Sequence, residues 1–193
     1  EGDDNLIVAT KKGMAISFNE QGARAIGRTA RGVKAIELKE GDEVIGMDIL
    51  VPGKKVLTVS ETGYGRKSDF DNYRVQSRGG KGLKNYHIEK YGEVAAITDI
   101  SEEDDIILIS QDGIIIRIAA SAVRICARPS KGVRVMRLGE GDRVVTLSTT
   151  EHDEEEVTGT VEDDGTATEG AGDTSGDNED VGTPDDAVEN SEE

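Results

Sequence analysis

The stretch "YRVQSRGGKGLKNY", residues 73–86, sets Arg74, Arg78, Lys81 and Lys84 around two adjacent glycines, with no carboxylate between Asp71 and Glu89. Sliding the chain by 50 residues in either direction lays this stretch on two others without a gap. Arg24, Arg74 and Arg124 then coincide, as do Arg28, Arg78 and Arg128. Arg31, Lys81 and Lys131 share a column, and so do Lys34, Lys84 and Arg134. Working outward, Gly13, Gly63 and Gly113 follow the polar pairs "KK", "ET" and "QD". Gly32, Gly82 and Gly132 also coincide, and Val44, Val94 and Val144 close the pattern. Self-similarity at a fixed period marks an array of like supersecondary units.

Each unit reads as four short strands, in the first "NLIVAT", "MAISF", "VKAIEL" and "EVIGMDIL". Short runs rich in Val and Ile, bounded by Gly and Asp, are strand signals. The glycine at 13, 63 and 113 supplies the positive φ of a tight hairpin. The 24 glycines interrupt every run long enough to become a helix. The expected fold is therefore all-β and propeller-like, with three four-stranded blades over 1–50, 51–100 and 101–150.

Charge sets the remainder apart. Residues 151–193 carry 18 of the 40 acidic residues and neither Lys nor Arg, so the net charge of −17 belongs to this tail. With no aromatic residue and no apolar period, the tail is expected to be disordered and to compete weakly with DNA for cations on the same chain. The other 150 residues balance 23 bases against 22 acids. No apolar run reaches the length of a membrane span and no signal peptide opens the chain. The start without Met, in mid-pattern, predicts a fragment or a processed product. Cys126 is alone, which excludes a disulfide framework and is expected to make it a small core residue. His87 and His152 lack metal-ligand spacing, so neither a metal nor a cofactor site is expected.

The four basic columns hold 12 of the 23 Lys and Arg residues, between the second and third strands of each unit. Scattered solubilising charges would drift between repeats and alternate with acids; these do neither. Stacked units would join them into a stripe suited to an anionic polymer such as double-stranded DNA. A P-loop is excluded because Gly82 follows Lys81 where Ser or Thr is needed. A protein-interaction propeller would call for exposed aromatics, yet the chain has four Tyr, two Phe and no Trp. The expected DNA contacts are Arg24, Arg28, Arg31, Lys34, Arg74, Gln76, Arg78, Gly79, Gly80, Lys81, Gly82, Lys84, Arg124, Arg128, Lys131 and Arg134. The glycines of "GGKG" are expected to let backbone N–H groups approach phosphates.

"VLTVSETGYGRKSDFDNYRVQSRGGKG" and "GVRVMRLGEGDRVV" resemble the carboxy-terminal domain of the bacterial DNA gyrase A protein. "QSRGGKG", Gln76–Gly82, is similar to that family's box, with Ser77 where the box has Arg. The resemblance implies a β-pinwheel, commonly of six blades, with strands exchanged between neighbours and a rim that wraps DNA. It implies that these units are the last half of such a domain, in an ATP-driven enzyme that introduces negative supercoils. The cleavage tyrosine would lie in an amino-terminal region, so this chain is expected to have no catalytic activity of its own. Tyr73 is expected to be a strand-edge aromatic. ATP and Mg2+ would be used outside this chain. The implied partners are double-stranded DNA, the amino-terminal region of gyrase A, and gyrase B in a heterotetramer. The implied location is the bacterial cytoplasm, on the chromosome. The corresponding domain of topoisomerase IV is the nearest alternative; the regular repeat favours gyrase.

Overall fold

A computed structural model describes residues 2–152, and the tail expected over 151–193 lies, after His152, outside the described residues. The first unit contributes β1 (Asn5–Thr10), β2 (Met14–Asn19) and β3 (Val44–Ile49). The second contributes β4 (Lys55–Ser60), β5 (Tyr64–Ser68), β6 (Leu83–Lys84), the single-turn helix α1 (Ile88–Tyr91) and β7 (Val94–Ile100). The third contributes β8 (Asp104–Ser110), β9 (Ile115–Ala119), β10 (Val133–Arg134) and β11 (Val144–Glu151). Among the described residues, no helix is long and apolar enough to cross a membrane.

The sheets do not coincide with the repeats. Their strand orders are β3-β1-β2-β6, β7-β4-β5-β10 and β11-β8-β9. Within each repeat the hairpin is antiparallel, as Val8↔Ile16, Thr58↔Arg66 and Leu108↔Ile116 show. The third strand leaves its own repeat: β6 pairs with β2 through Met14↔Lys84, and β10 with β5 through Tyr64↔Arg134. Two consequences differ from the reading of four strands per repeat. "VKAIEL", 33–38, forms no strand, because among the described residues there is no preceding sheet to receive it. The third sheet has three strands, because among the described residues no later strand pairs with the outer edge of β9.

Exchange also explains what is buried. The central strand β4 is buried almost throughout, since neighbouring units cover both of its faces; β1 is covered by the next unit and by Ile16, Phe18 and Ile36 of its own, whereas β11 is largely exposed. Ile7, Ala9 and Ala15 pack with Val56, Tyr73 and Ile97 of the next unit. Leu57, Val59 and Ile100 pack likewise with Ile106, Leu108, Ile118 and Val135. At roughly 25 cal/mol per Å² of apolar surface removed from water, these shared cores dominate the cohesion of the array. The valine column follows the same logic: Val94 N donates to Lys11 O, and Val144 N to Glu61 O, both at 2.9 Å. Those two valines are buried, whereas Val44, with no unit ahead of it among the described residues, is exposed. Polar links reinforce the first junction. Asp48 Oδ2 accepts from Thr98 Oγ1 and from Asp99 N, each at 2.9 Å. Lys11 faces Glu43 at 3.0 Å and both Glu61 and Glu93 at 3.6 Å; its bond to Glu43 and these charges raise its pKa.

The glycine column does two things. Gly63 and Gly113 both turn their hairpins with positive φ, 81° and 85°. The carbonyl of Gly63 also receives Val135 N and Met136 N, at 2.9 and 3.1 Å, so the exchanged strand lies on the turn. A Cβ at Gly63 would collide with the Met136 carbonyl, whereas one at Gly113 would meet nothing within 4 Å. Gly113→Ala should therefore cost about 1–2 kcal/mol, the left-handed backbone strain alone. Gly63→Ala should cost clearly more, because the donated strand must also move; denaturant unfolding of the two variants measures the difference.

Candidate nucleic-acid interface

Each repeat's second strand ends in a short 3-10 turn, Glu20–Gly22, Phe70–Asn72 or Ala120–Ala122, and the chain then loops out to its third-strand segment. These loops carry the repeated bases. They lack apolar periodicity, but Tyr73 and Val123 anchor the second and third in the core, and both loops are tied to their predecessor's sheet. Gln76 N donates to Ser17 O and Cys126 N to Lys67 O, both at 2.8 Å, with parallel bridges at Ser17↔Val75 and Lys67↔Ile125. The first two loops also touch one another. Gly79 N donates to Ala35 O at 2.6 Å and Glu37 N to Gly80 O at 2.8 Å. The basic columns of successive repeats are thus contiguous.

The predicted residues fall into distinct settings. Arg24, Arg28, Arg31, Lys34, Arg74 and Lys81 have no side-chain partner among the described residues, and all six are exposed. Arg124 is exposed as well, while Lys84 faces Glu89 at 3.4 Å. Lys131 and Arg134 gather on Tyr64 of the preceding repeat. The lysine Nζ lies 4.1 Å from the ring centroid, the guanidinium carbon 5.2 Å, and Arg134 Nη2 donates to Tyr64 Oη at 2.6 Å. Arg78 and Arg128 reach backward to backbone carbonyls. Arg78 Nε donates to Gly22 O at 2.5 Å and Nη1 to Lys34 O at 3.2 Å. Arg128 Nε donates to Asn72 O at 2.6 Å and Nη1 to Lys84 O at 2.7 Å. The glycines differ from expectation too. The N–H of Gly79 is occupied by Ala35 O, and Gly82 presses so closely on the Ala15 carbonyl that a Cβ there would collide with it. At Gly82 glycine is required by close approach of protein to protein.

Beneath the middle loop lies a polar cluster that the repeat pattern did not single out. Arg66 is fully buried. Its Nη1 donates to Ser68 Oγ and its Nη2 to Asn85 O and, at 2.8 Å, to Asn85 Oδ1. Its guanidinium carbon lies 5.8 Å from the centroid of the Tyr86 ring. Asn85 Oδ1 also accepts from Tyr73 Oη at 2.7 Å, and Asn85 Nδ2 donates to Thr58 Oγ1 at 3.3 Å. Tyr73 is thus a buried core residue, 2% exposed, where a strand-edge role was expected. Cys126, expected in the core, is half-buried. The columns held a signal for the cluster: Arg66 stands where the other repeats have Ile16 and Ile116, and Asn85 where they have Ala35 and Val135. Several apolar positions become polar together in one repeat, as a buried network requires.

An open groove of about 620 Å³ runs beside Arg74, between Leu50, Lys54, Lys55 and Phe70. Both of its lysines are paired, Lys54 to Asp99 at 3.0 Å and Lys55 to Asp69 at 2.6 Å. It offers little free positive charge. The free charge is on the loops.

Repeated propeller blades joined by strand exchange, with contiguous basic loops, are the class of protein that these features define. The chain belongs to the family described as DNA gyrase C-terminal domain, beta-propeller, whose model matches residues 4–50, 54–101 and 104–151. It is 38% identical over 175 residues to the DNA gyrase A protein of Staphylococcus aureus (strain NCTC 8325 / PS 47), a match covering 86% of this chain and 20% of that protein. The chain thus spans about a fifth of the length of the curated relatives it matches. A solved DNA gyrase A C-terminal domain superposes with a TM-score of 0.71 at 31% identity, over 76% of this chain and 50% of the other. The C-terminal domain of DNA topoisomerase IV superposes with a TM-score of 0.74 at 24% identity, over 78% of this chain and 47% of the other. That second likeness speaks for the fold alone.

The tyrosines provide a pH readout of this region. Arg134's hydrogen bond, followed by Lys131's bond and the charge of both cations, lowers the Tyr64 pKa from 10.0 despite some burial. Burial pushes Tyr86 the other way, to about 12, with its hydroxyl donating to Lys131 O at 2.8 Å. A raised folded-state pKa means that Tyr86 contributes stability fully below pH ~10, lost as the pH climbs toward ~12. Tyr86→Phe should flatten the loss of stability in that window. It should also remove the latest step from a spectrophotometric tyrosine titration, while the Tyr64 step stays on the acid side of 10.

Proposed function

We propose that this chain binds double-stranded DNA without sequence preference and bends it along the contiguous basic loops. The observation that carries the reading is the set of bases with no partner among the described residues, Arg24, Arg31, Lys34, Arg74 and Lys81, on loops that hydrogen-bond to one another. Arg28 and Arg124 extend the same surface. Counterion release from phosphates is indifferent to sequence and additive over many contacts, as a wrapping surface needs. Bending 20–30 bp by 40–90° costs on the order of 1–6 kcal/mol, more than one or two exposed phosphate contacts would offset. A row distributed over three repeats supplies enough. The names of the relatives, DNA gyrase among them, support the same reading.

Within a whole protein this domain would serve a type II topoisomerase that couples ATP hydrolysis to negative supercoiling, its ATP, Mg2+ and cleavage tyrosine lying on other regions. Its partners there would be the gyrase A amino-terminal region and gyrase B, in the cytoplasm with the chromosome. The regular repeats and the relatives' names favour gyrase over topoisomerase IV.

The logarithm of DNA affinity should fall linearly with the logarithm of salt concentration, at about −0.9 per phosphate neutralised, on duplexes of unrelated sequence. Arg74→Ala and Lys81→Ala should each make that slope shallower by roughly one contact. Binding that ignores salt, or that picks out one duplex, would overturn the proposal.

A further inference from the structure

The contacts of Arg78 and Arg128 repeat across the two junctions in more than kind. Each guanidinium takes one carbonyl from the turn that opens the preceding loop, Gly22 or Asn72, and one from the residue at which that loop closes, Lys34 or Lys84. The spacing is identical in both cases: the donor stands 56 residues after the first acceptor and 44 after the second. Each arginine therefore spans the neck of the preceding repeat's loop, its planar fork bonding both sides of the neck at once. The second junction shows that this is not a by-product of backbone contact. Gly79 N–H ties the second loop to Ala35, but the equivalent residue is Pro129, which has no N–H to give. The arginine bond persists where the backbone bond cannot form. At that junction the Arg128 guanidinium also lies 5.2 Å from the Tyr73 ring centroid, a contact that Ala23 cannot offer Arg78.

We propose that Arg78 and Arg128 are positioning residues: each clamps the neck of the preceding loop and so holds that loop's bases, rather than gripping phosphate itself. Arg78 fixes the loop bearing Arg24 and Arg31, and Arg128 the loop bearing Arg74 and Lys81. The inference rests on the DNA-binding reading for its purpose, though not for its geometry. It divides one basic column from the others. Arg28 makes no such bond among the described residues.

The test compares Arg128→Ala, Arg128→Lys and Arg74→Ala in the full chain. Without DNA, amide hydrogen exchange in residues 73–83 should quicken at least several-fold in both Arg128 variants. The exchange of 23–33 should not move, because the clamp acts on the loop before its own. Lysine restores the charge but bonds from one point, so it should not slow exchange to the wild-type rate. With a random-sequence duplex, Arg128→Ala should lower affinity and the bend seen by end-to-end energy transfer while keeping the wild-type salt slope. Arg74→Ala should make the slope shallower by about 0.9. Unchanged exchange in 73–83 overturns the clamp, whatever happens on DNA. A slope reduced by Arg128→Ala and restored by Arg128→Lys overturns it as well, marking Arg128 as a phosphate contact. Should no variant, nor the wild type, bind DNA in a salt-dependent way, the functional reading fails and the exchange data alone decide the clamp.

Discussion

The pairing of Val133 and Arg134 with Gly65 and Tyr64 carries a strand out of its own repeat and into its neighbour's sheet, and the rest of the molecule answers to it. A sheet completed by the next repeat cannot be finished alone, so the repeats become one cooperative array. The exchanged strand must cross the turn at Gly63, which leaves no room for a side chain there. It also brings the loop preceding it onto the neighbour's surface, where Gly132 sits against the Gly65 carbonyl as Gly82 does against Ala15. The shared cores follow, since Leu57 and Val59 of one repeat bury their surfaces on Ile106 and Leu108 of the next.

The middle repeat stabilises this exchange differently from the others. Its buried Arg66 has no carboxylate among its hydrogen-bond partners and relies on a backbone carbonyl, two side-chain oxygens and the face of Tyr86. A buried guanidinium held only by neutral groups is costly to leave partly satisfied, so Asn85, Ser68 and Tyr86 are constrained as a set. Asn85 adjoins β6, Ser68 ends β5, and Ser68 Oγ donates to Cys126 O at 2.9 Å. The cluster thus links the strand that repeat two donates to the sheet that receives repeat three.

The basic loops are where fold and proposed function meet. Their bases are not equivalent, although their columns are. Arg24, Arg31, Arg74 and Lys81 have no partner among the described residues; Lys131 and Arg134 are engaged with Tyr64; Arg78 and Arg128 are bonded backward across loop necks. A surface meant to hold a stiff polyanion along a curved path needs charge at defined spacing as well as charge. Flexible loops alone would surrender part of the contact energy as ordering entropy.

Much of this was legible in one sequence, because repetition supplies its own comparison. The period of 50, the Val- and Ile-rich runs and the turn glycines mark β-units in an array, and the held columns of Arg and Lys mark the loops. These are local properties: hairpin geometry, strand preference and charge density depend on residues near in the chain. The identity of a strand's partner is not local. Leu83 and Lys84 look the same whether they pair with β5 or, as they do, with β2, and only packing in three dimensions decides between them. The fates of Arg28, Arg78 and Arg128 diverge for the same reason, since whether a guanidinium meets solvent or a carbonyl depends on a loop that lies dozens of residues away.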